Sequence, residues 1–147
     1  MADNKIGFVN AARVSAEAPQ AEAARAKLER EFSPRDREIA EEQSDIRQLE
    51  ERLSRDSAVM SEDEQRQLQR EVVSRKRELR RVQEEFREDF NLRRNEELGR
   101  LQRRIVDTIN QLARDNDFDL ILSEGVIFAS DKVDITEQVL ERLQQDQ

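Results

Sequence analysis

Asp119-Leu120-Ile121-Leu122-Ser123-Glu124-Gly125-Val126-Ile127-Phe128-Ala129-Ser130 packs six large apolar residues into a chain of 147 in which 41% of residues are charged. Residues 119–123 and 125–129 read as two short strands, with Glu124-Gly125 as a tight turn between them. Gly125 supplies the positive φ that such a turn needs. Near the start, Lys5-Ile6-Gly7-Phe8-Val9-Asn10 reads as a third strand. Ile6 and Phe8 share one face and Val9 lies on the other, so neither face is clearly polar; Gly7 marks a close backbone approach.

Outside these segments the composition is unlike that of a compact domain. Hydrophobic residues make up 35% of the chain, with three Gly and two Pro, against an average of about 25% charged and about half apolar. Such a chain is disordered or is long amphipathic helix, and periodicity favours helix. From about Ala21 apolar residues fall at Leu28, Phe32, Ile39, Ile46, Leu49 and Leu53. Four of them, from Phe32 to Leu53, are spaced by sevens, the mark of a coiled-coil seam. Ser33-Pro34 predicts a kink or a restart, with Ser33 as cap and Pro34 at the first helical position. Residues 54–61 break the pattern. Ser61-Glu62-Asp63-Glu64 then forms an S-x-x-E capping box and opens a second helix with Leu68, Val72, Leu79, Val82, Phe86 and Phe90 on its apolar stripe.

Folding the chain back near residue 59 sets Phe32 against Phe86, Ile39 against Leu79, Ile46 against Val72 and Leu28 against Phe90. One register thus pairs several apolar couples, which predicts an antiparallel helical hairpin. The basic run Arg75-Lys76-Arg77-Glu78-Leu79-Arg80-Arg81 then lies beside Asp36, Glu38, Glu41 and Glu42. It reads as charge pairs flanking the seam rather than as a nucleic-acid patch, each exposed pair contributing about 0–1 kcal/mol. At ~1.5 Å per residue the second helix, 62–114, runs about 80 Å, so the hairpin is expected to project. Asp134-Ile135-Thr136-Glu137 is a D-x-x-E start to a last short helix, with Ile135, Val139, Leu140 and Leu143 on one face.

The three strands offer Ile6, Phe8, Val9, Leu120, Ile121, Leu122, Val126, Ile127 and Phe128 for burial. Full burial contributes roughly 1.5–3 kcal/mol for each. Ordering about 16 residues costs roughly 1.5 kcal/mol each, so the two terms nearly cancel. A small open sheet also leaves bare edges. The strands are therefore expected to form an oligomerisation core shared between copies, made of residues 1–20 and 113–147. Residues 21–112 form the helical arm, with its tip near 54–61. The fold class is α+β. At the tip, Ala58, Val59 and Met60 are candidate client contacts, Met being flexible and polarizable.

The remaining chemistry is narrow. The chain has no Cys, His, Trp or Tyr, which removes His–Cys metal sites and Ser–His or Cys–His nucleophile pairs. No P-loop or dinucleotide fingerprint is present, so no catalytic residue, cofactor or metal is expected. A net charge of −8 argues against nucleic acid or an anionic membrane as the partner of the whole chain. No run reaches the ~20 apolar residues of a membrane span. Met1-Ala2-Asp3-Asn4 leads straight into the first strand with no visible signal peptide, which fits a cytosolic protein or one whose signal has been removed.

Several segments resemble the Skp (OmpH) family of periplasmic chaperones. They are residues 5–10, then Arg93, Asn95-Glu96-Glu97 and Gly99-Arg100-Leu101, then Phe118-Asp119-Leu120-Ile121-Leu122, and last Asp134-Ile135-Thr136 with Val139-Leu140. The resemblance implies a homotrimer in which each subunit gives strands to a shared β-barrel and extends one helical hairpin. It implies an ATP-independent holdase that encloses unfolded outer-membrane proteins between three arms, a cleaved signal peptide and a periplasmic address. Typical members are basic, whereas this chain is acidic. A lipopolysaccharide site proposed in the family is not carried over: only Arg93, with Arg94 beside it, sits in the matching stretch, and Val82 and Leu92 stand where charge is expected. The alternative reading is a coiled-coil scaffold that binds a folded partner.

Overall fold

The computed structural model describes residues 3–146; the expectation of a removed signal ahead of Met1 and Ala2 lies outside the described residues, as does Gln147. The chain order is β1 (Ile6–Phe8), α1 (Ala11–Glu17), α2 (Pro19–Asp56), α3 (Glu62–Asp115), β2 (Leu120–Leu122) and α4 (Thr136–Gln145). Among the described residues two compact units are formed, one from 3–27 with 94–146 and one from 28–93.

In the first unit, β1 and β2 pair in parallel, with Ile6 opposite Leu120, Gly7 opposite Ile121 and Phe8 opposite Leu122. The other edge of β1 is covered. Phe8 N–H donates to the Val133 carbonyl at 2.7 Å, and Ile135 N–H to the Phe8 carbonyl at 2.8 Å. Ile121 packs inward on a core of Val9, Val14, Leu101, Ile105, Leu112 and the α4 face Ile135, Val139, Leu140 and Leu143. The expected apolar face of the last helix is therefore buried. Gly7 permits this packing: a Cβ there would stand 2.9 Å from Phe118 Cε1 and 3.2 Å from Ile135 Cδ1.

Capping is built from small polar groups. Asn10 Oδ1 accepts from Arg13 N–H at 3.1 Å and opens α1. Thr136 ties the two ends of the chain together. Its Oγ1 accepts from Asn10 N–H at 3.0 Å and donates to Asp134 Oδ1 at 2.6 Å. Asp134 also accepts from Thr136 N–H at 3.0 Å, so the D-x-x-E segment closes a turn two residues on, and α4 starts at Thr136 rather than at a box capped by Asp134. At the end of α3, Phe118 N–H reaches the Ala113 carbonyl at 2.9 Å and Asp117 N–H the Arg114 carbonyl at 3.4 Å. Asp117 holds φ 57°. That is a Schellman motif with aspartate in the left-handed position usually given to glycine.

Three expectations are corrected here. The chain from Ala11 to Glu17 forms α1, and α2 starts at Pro19 rather than near Ala21, with proline at the first helical position where its missing N–H is no loss. Helix α2 runs through Pro34 without restarting. Phe32 and Ile39 on either side of it are both buried, and this packing outweighs a local proline penalty of ~3 kcal/mol. Last, Glu124-Gly125 does turn, with Gly125 at φ 81°, but residues 125–129 form no strand and do not return along β2. A third strand on the free edge of β2 needs apolar cover for Ile127 and Phe128, and one copy of the chain supplies none: both are exposed.

In the second unit α2 and α3 run antiparallel. The Phe32 ring meets Phe86 edge to face at 5.6 Å and Phe90 at 5.3 Å, while Phe86 and Phe90 stack at 6.3 Å. The expected Phe32–Phe86 couple is thus in contact, and Phe32 reaches Phe90 as well. Leu28, Ile39, Ile46, Leu68 and Val72 are buried along the seam. Helix α2 ends at Asp56, and Glu64 N–H donates to Ser61 Oγ at 3.2 Å at the start of α3.

Candidate functional site

The nine residues proposed for a shared core divide by strand face. In β1 and β2 the side chains alternate, so Gly7 and Ile121 face the core of the chain while Ile6, Phe8, Leu120 and Leu122 share the opposite face. Val9 is fully buried in the core of the single chain. Phe8, Ile121 and Val126 are half-buried. Ile6, Leu120 and Leu122 remain between 43% and 48% exposed, Phe128 is 82% exposed and Ile127 is fully exposed. These five are uncovered apolar residues, three on the outer face of the β1–β2 pair and two in the segment that follows β2.

At the hairpin tip, Val59 and Met60 N–H groups both donate to the Asp56 carbonyl, at 3.0 and 3.2 Å. This turn points Ala58 and Val59 into solvent and leaves Met60 half-buried. The three candidate contacts are adjacent but not equally accessible.

The charged run of α3 is only partly paired with α2. Arg75 makes a bidentate bond to Glu42 at 2.7 and 2.9 Å and approaches Asp45 at 3.6 Å. That hydrogen bond holds the Glu42 carboxyl below its ordinary range. Lys76 pairs with Glu50 at 3.1 Å. Arg81 turns to Glu78 and Glu85 on its own helix, at 2.7 and 2.8 Å. Of the four carboxylates expected beside the run, only Glu42 is used. Nearer the other end of this unit, Arg35 bonds Asp89 at 2.9 Å and sits over the Phe32 and Phe86 rings, and Arg93 bonds Glu31 at 2.8 Å.

Among the described residues no group of three or more acidic side chains is placed to hold a metal ion, and no helix is long and apolar enough to cross a membrane. The geometry offers contact surfaces: an apolar sheet face, a helical hairpin and its tip.

A small α+β core joined in sequence to a long antiparallel coiled-coil hairpin defines a class of helical-hairpin proteins. Residues 5–143 match the model of the family described as outer membrane protein (OmpH-like), and the chain belongs to that family. Among solved structures it is similar to a candidate outer membrane chaperone (OmpH-like) from Caulobacter crescentus CB15. The TM-score is 0.86 at 16% identity, covering 100% of this chain and 88% of that one. At that identity the likeness shows the fold. No curated protein matches.

Proposed function

We propose that the chain is a holdase chaperone of the periplasm that acts as a homotrimer, works without ATP or other cofactor, and keeps unfolded outer-membrane β-barrel proteins from aggregating. Its chemistry is contact, not catalysis. The subunits associate through Ile6, Leu120, Leu122, Ile127 and Phe128, and the hairpins of three copies surround the client. Ala58, Val59 and Met60 at each tip add client contacts.

The observation that carries this reading is the joint one of family and surface. An OmpH-like chain over residues 5–143 leaves Ile127 and Phe128 uncovered in the segment that follows β2. An exposed apolar segment in a chain whose sheet also has an open edge is an association surface or an aggregation hazard. The structure named for a candidate outer membrane chaperone shares the fold over the whole chain, which supports the holdase role.

The test is dilution of a urea-unfolded outer-membrane β-barrel protein into buffer with and without the purified protein. Suppressed light scattering at one trimer per client, without nucleotide, is expected. Unchanged aggregation at a tenfold excess over client rules the holdase out.

A further inference from the structure

The first unit contains a cleft between the start of β1, the end of α3 and the polar side of α4. It holds about 510 Å³, within the range of small-molecule sites. Its apolar wall is made by Leu112 and Ile135, both buried, and by the half-buried Phe118 ring. The amides of Gln138 and Gln145 stand on its rim and make no hydrogen bond among the described residues.

The end of a helix is ordinarily a poor place for an anion, because its last carbonyls carry partial negative charge. At the end of α3 those carbonyls are engaged. The Leu112 carbonyl accepts from Asn116 N–H at 3.1 Å and from Asn116 Nδ2 at 3.0 Å. The Ala113 and Arg114 carbonyls accept from Phe118 and Asp117 N–H. The Asn116 carbonyl accepts from Lys5 Nζ at 2.7 Å. Lys5 also sits over the Phe118 ring. An ammonium has three donors, so Lys5 keeps capacity toward the cleft that it lines.

The charges of the lining do not cancel. Arg142 is bonded to Asp115 at 2.7 Å. Lys132 makes no hydrogen bond or ion pair among the described residues, and Lys5 makes no side-chain ion pair there. Glu141 is the one carboxylate of the lining and is likewise unpaired among the described residues. Two ammonium groups thus stand against one carboxylate beside an aromatic wall, in a chain whose net charge is −8.

We infer that this cleft binds a small organic acid, a carboxylate carried on an apolar body about the size of a phenylalanine side chain. The carboxylate meets Lys5 and Lys132, the apolar body lies against Phe118 and Leu112, and the two glutamines take up any further polar group. Two sources supply that chemistry: a free aryl or alkyl acid, and the carboxyl-terminal residue of a polypeptide. The site lies wholly in the first unit and does not depend on what the hairpin holds.

The experiment titrates the full-length protein with hydrocinnamate, with an acetylated tripeptide ending in phenylalanine, and with the amide of each, by calorimetry and ligand-observed NMR. Saturable binding of at least one acid, with a single ligand per chain and none of its amide, is expected. Hydrocinnamate without the tripeptide assigns the site to free acids; tighter binding of the tripeptide assigns it to chain ends. Lys132→Gln should weaken the acid roughly tenfold, as loss of one charge-assisted hydrogen bond allows. Glu141→Gln should tighten it, because the like charge on the rim is removed. Gln138→Trp, which fills the cleft without changing charge, should abolish binding. Arg103→Gln, at an exposed α3 position outside the lining, should leave it unchanged. Lys132, Gln138 and Glu141 are exposed, so circular dichroism of their variants should match wild type. No saturable binding of either acid by wild type overturns the inference. So does equal binding of acid and amide, or affinity that survives both Lys132→Gln and Gln138→Trp. Equal weakening by Lys132→Gln and Arg103→Gln overturns it in favour of net charge alone.

Discussion

Gly7 and the Phe118 ring are in contact so close that the strand can hold no side chain there: a Cβ on Gly7 would lie 2.9 Å from Cε1. The ring is in turn held by Lys5, whose Nζ sits 4.4 Å from its centroid. The first prediction follows from the absence of room. Gly7→Ala should destabilise by about 1–3 kcal/mol, the usual cost of overpacking. Gly99→Ala is the matched control, because its Cβ would meet only Arg103 Nη1 at 3.6 Å in mid-helix, and it should stabilise by about 0.5–1 kcal/mol. Urea midpoints of the two variants should move in opposite directions; a shared direction would refute the packing account.

The hydroxyl and N–H of Thr136 both donate to Asp134, and they hold its carboxyl below the ordinary aspartate range. A carboxyl depressed in the folded state stabilises above its unfolded pKa of about 3.9 and loses that contribution as pH falls through the folded value. Wild type should therefore lose stability on acidification below about pH 4 more steeply than Asp134→Asn. Parallel acid limbs in thermal melts from pH 6 to pH 2.5 would show that the pair does not couple folding to protons.

Phe32 is buried between two rings that are themselves half-exposed. Phe32→Ala should cost about 3 kcal/mol, the lower end for a large buried aromatic, because neighbouring side chains can partly collapse into the space. Hydrogen exchange should rise in 28–39 and 82–93 and not at β1 or α4. Uniform acceleration across the chain would mean that the two units unfold together.

Phe128 contributes to no contact in the buried core of one chain. Phe128→Asp should leave far-UV helicity unchanged and abolish association, because a carboxylate cannot be buried unpaired between copies. Light scattering that still reports the wild-type mass would eliminate Phe128 from the interface.

The seam was legible because its information is local. Residues seven apart on a helix fall on one face wherever the rest of the chain lies, and Phe32, Ile39 and Ile46 are buried as that rule requires. The tip followed from Ser61 for the same reason. Helix α1 was not legible: one large buried residue, Val14, gives no period, and its only signals were Asn10 as cap and Pro19 as the next start. The parallel pairing of β1 with β2 joins residues 114 apart, which no local pattern encodes. Residues 125–129 carry strand composition without a partner in the same copy. Val9 shows the cost of judging the strands by themselves. It is filled in by Val14, α4 and α3, so the single chain has a core of its own, and the uncovered part is the outer face of the sheet. Which carboxylate each arginine of the hairpin selects, as Arg75 selects Glu42 and Arg81 selects Glu78, is a choice on which heptad spacing is silent.

Replacing residues 40–78 with a turn of about four Gly/Ser residues, a length that suits two antiparallel helices, separates holding from assembly. The deletion removes the tip and the Glu42–Arg75 and Glu50–Lys76 pairs, yet keeps Phe32 with Phe86 and Phe90. It leaves intact the core around Val9, Ile105 and Val139 and the uncovered Ile127 and Phe128. The shortened protein should therefore keep the wild-type number of subunits by native mass measurement while its retention of an unfolded client falls at least severalfold, since many weak contacts are lost together. Dissociation into monomers would place the subunit contacts in the hairpin instead of the sheet, and undiminished retention would place the client on the α+β core.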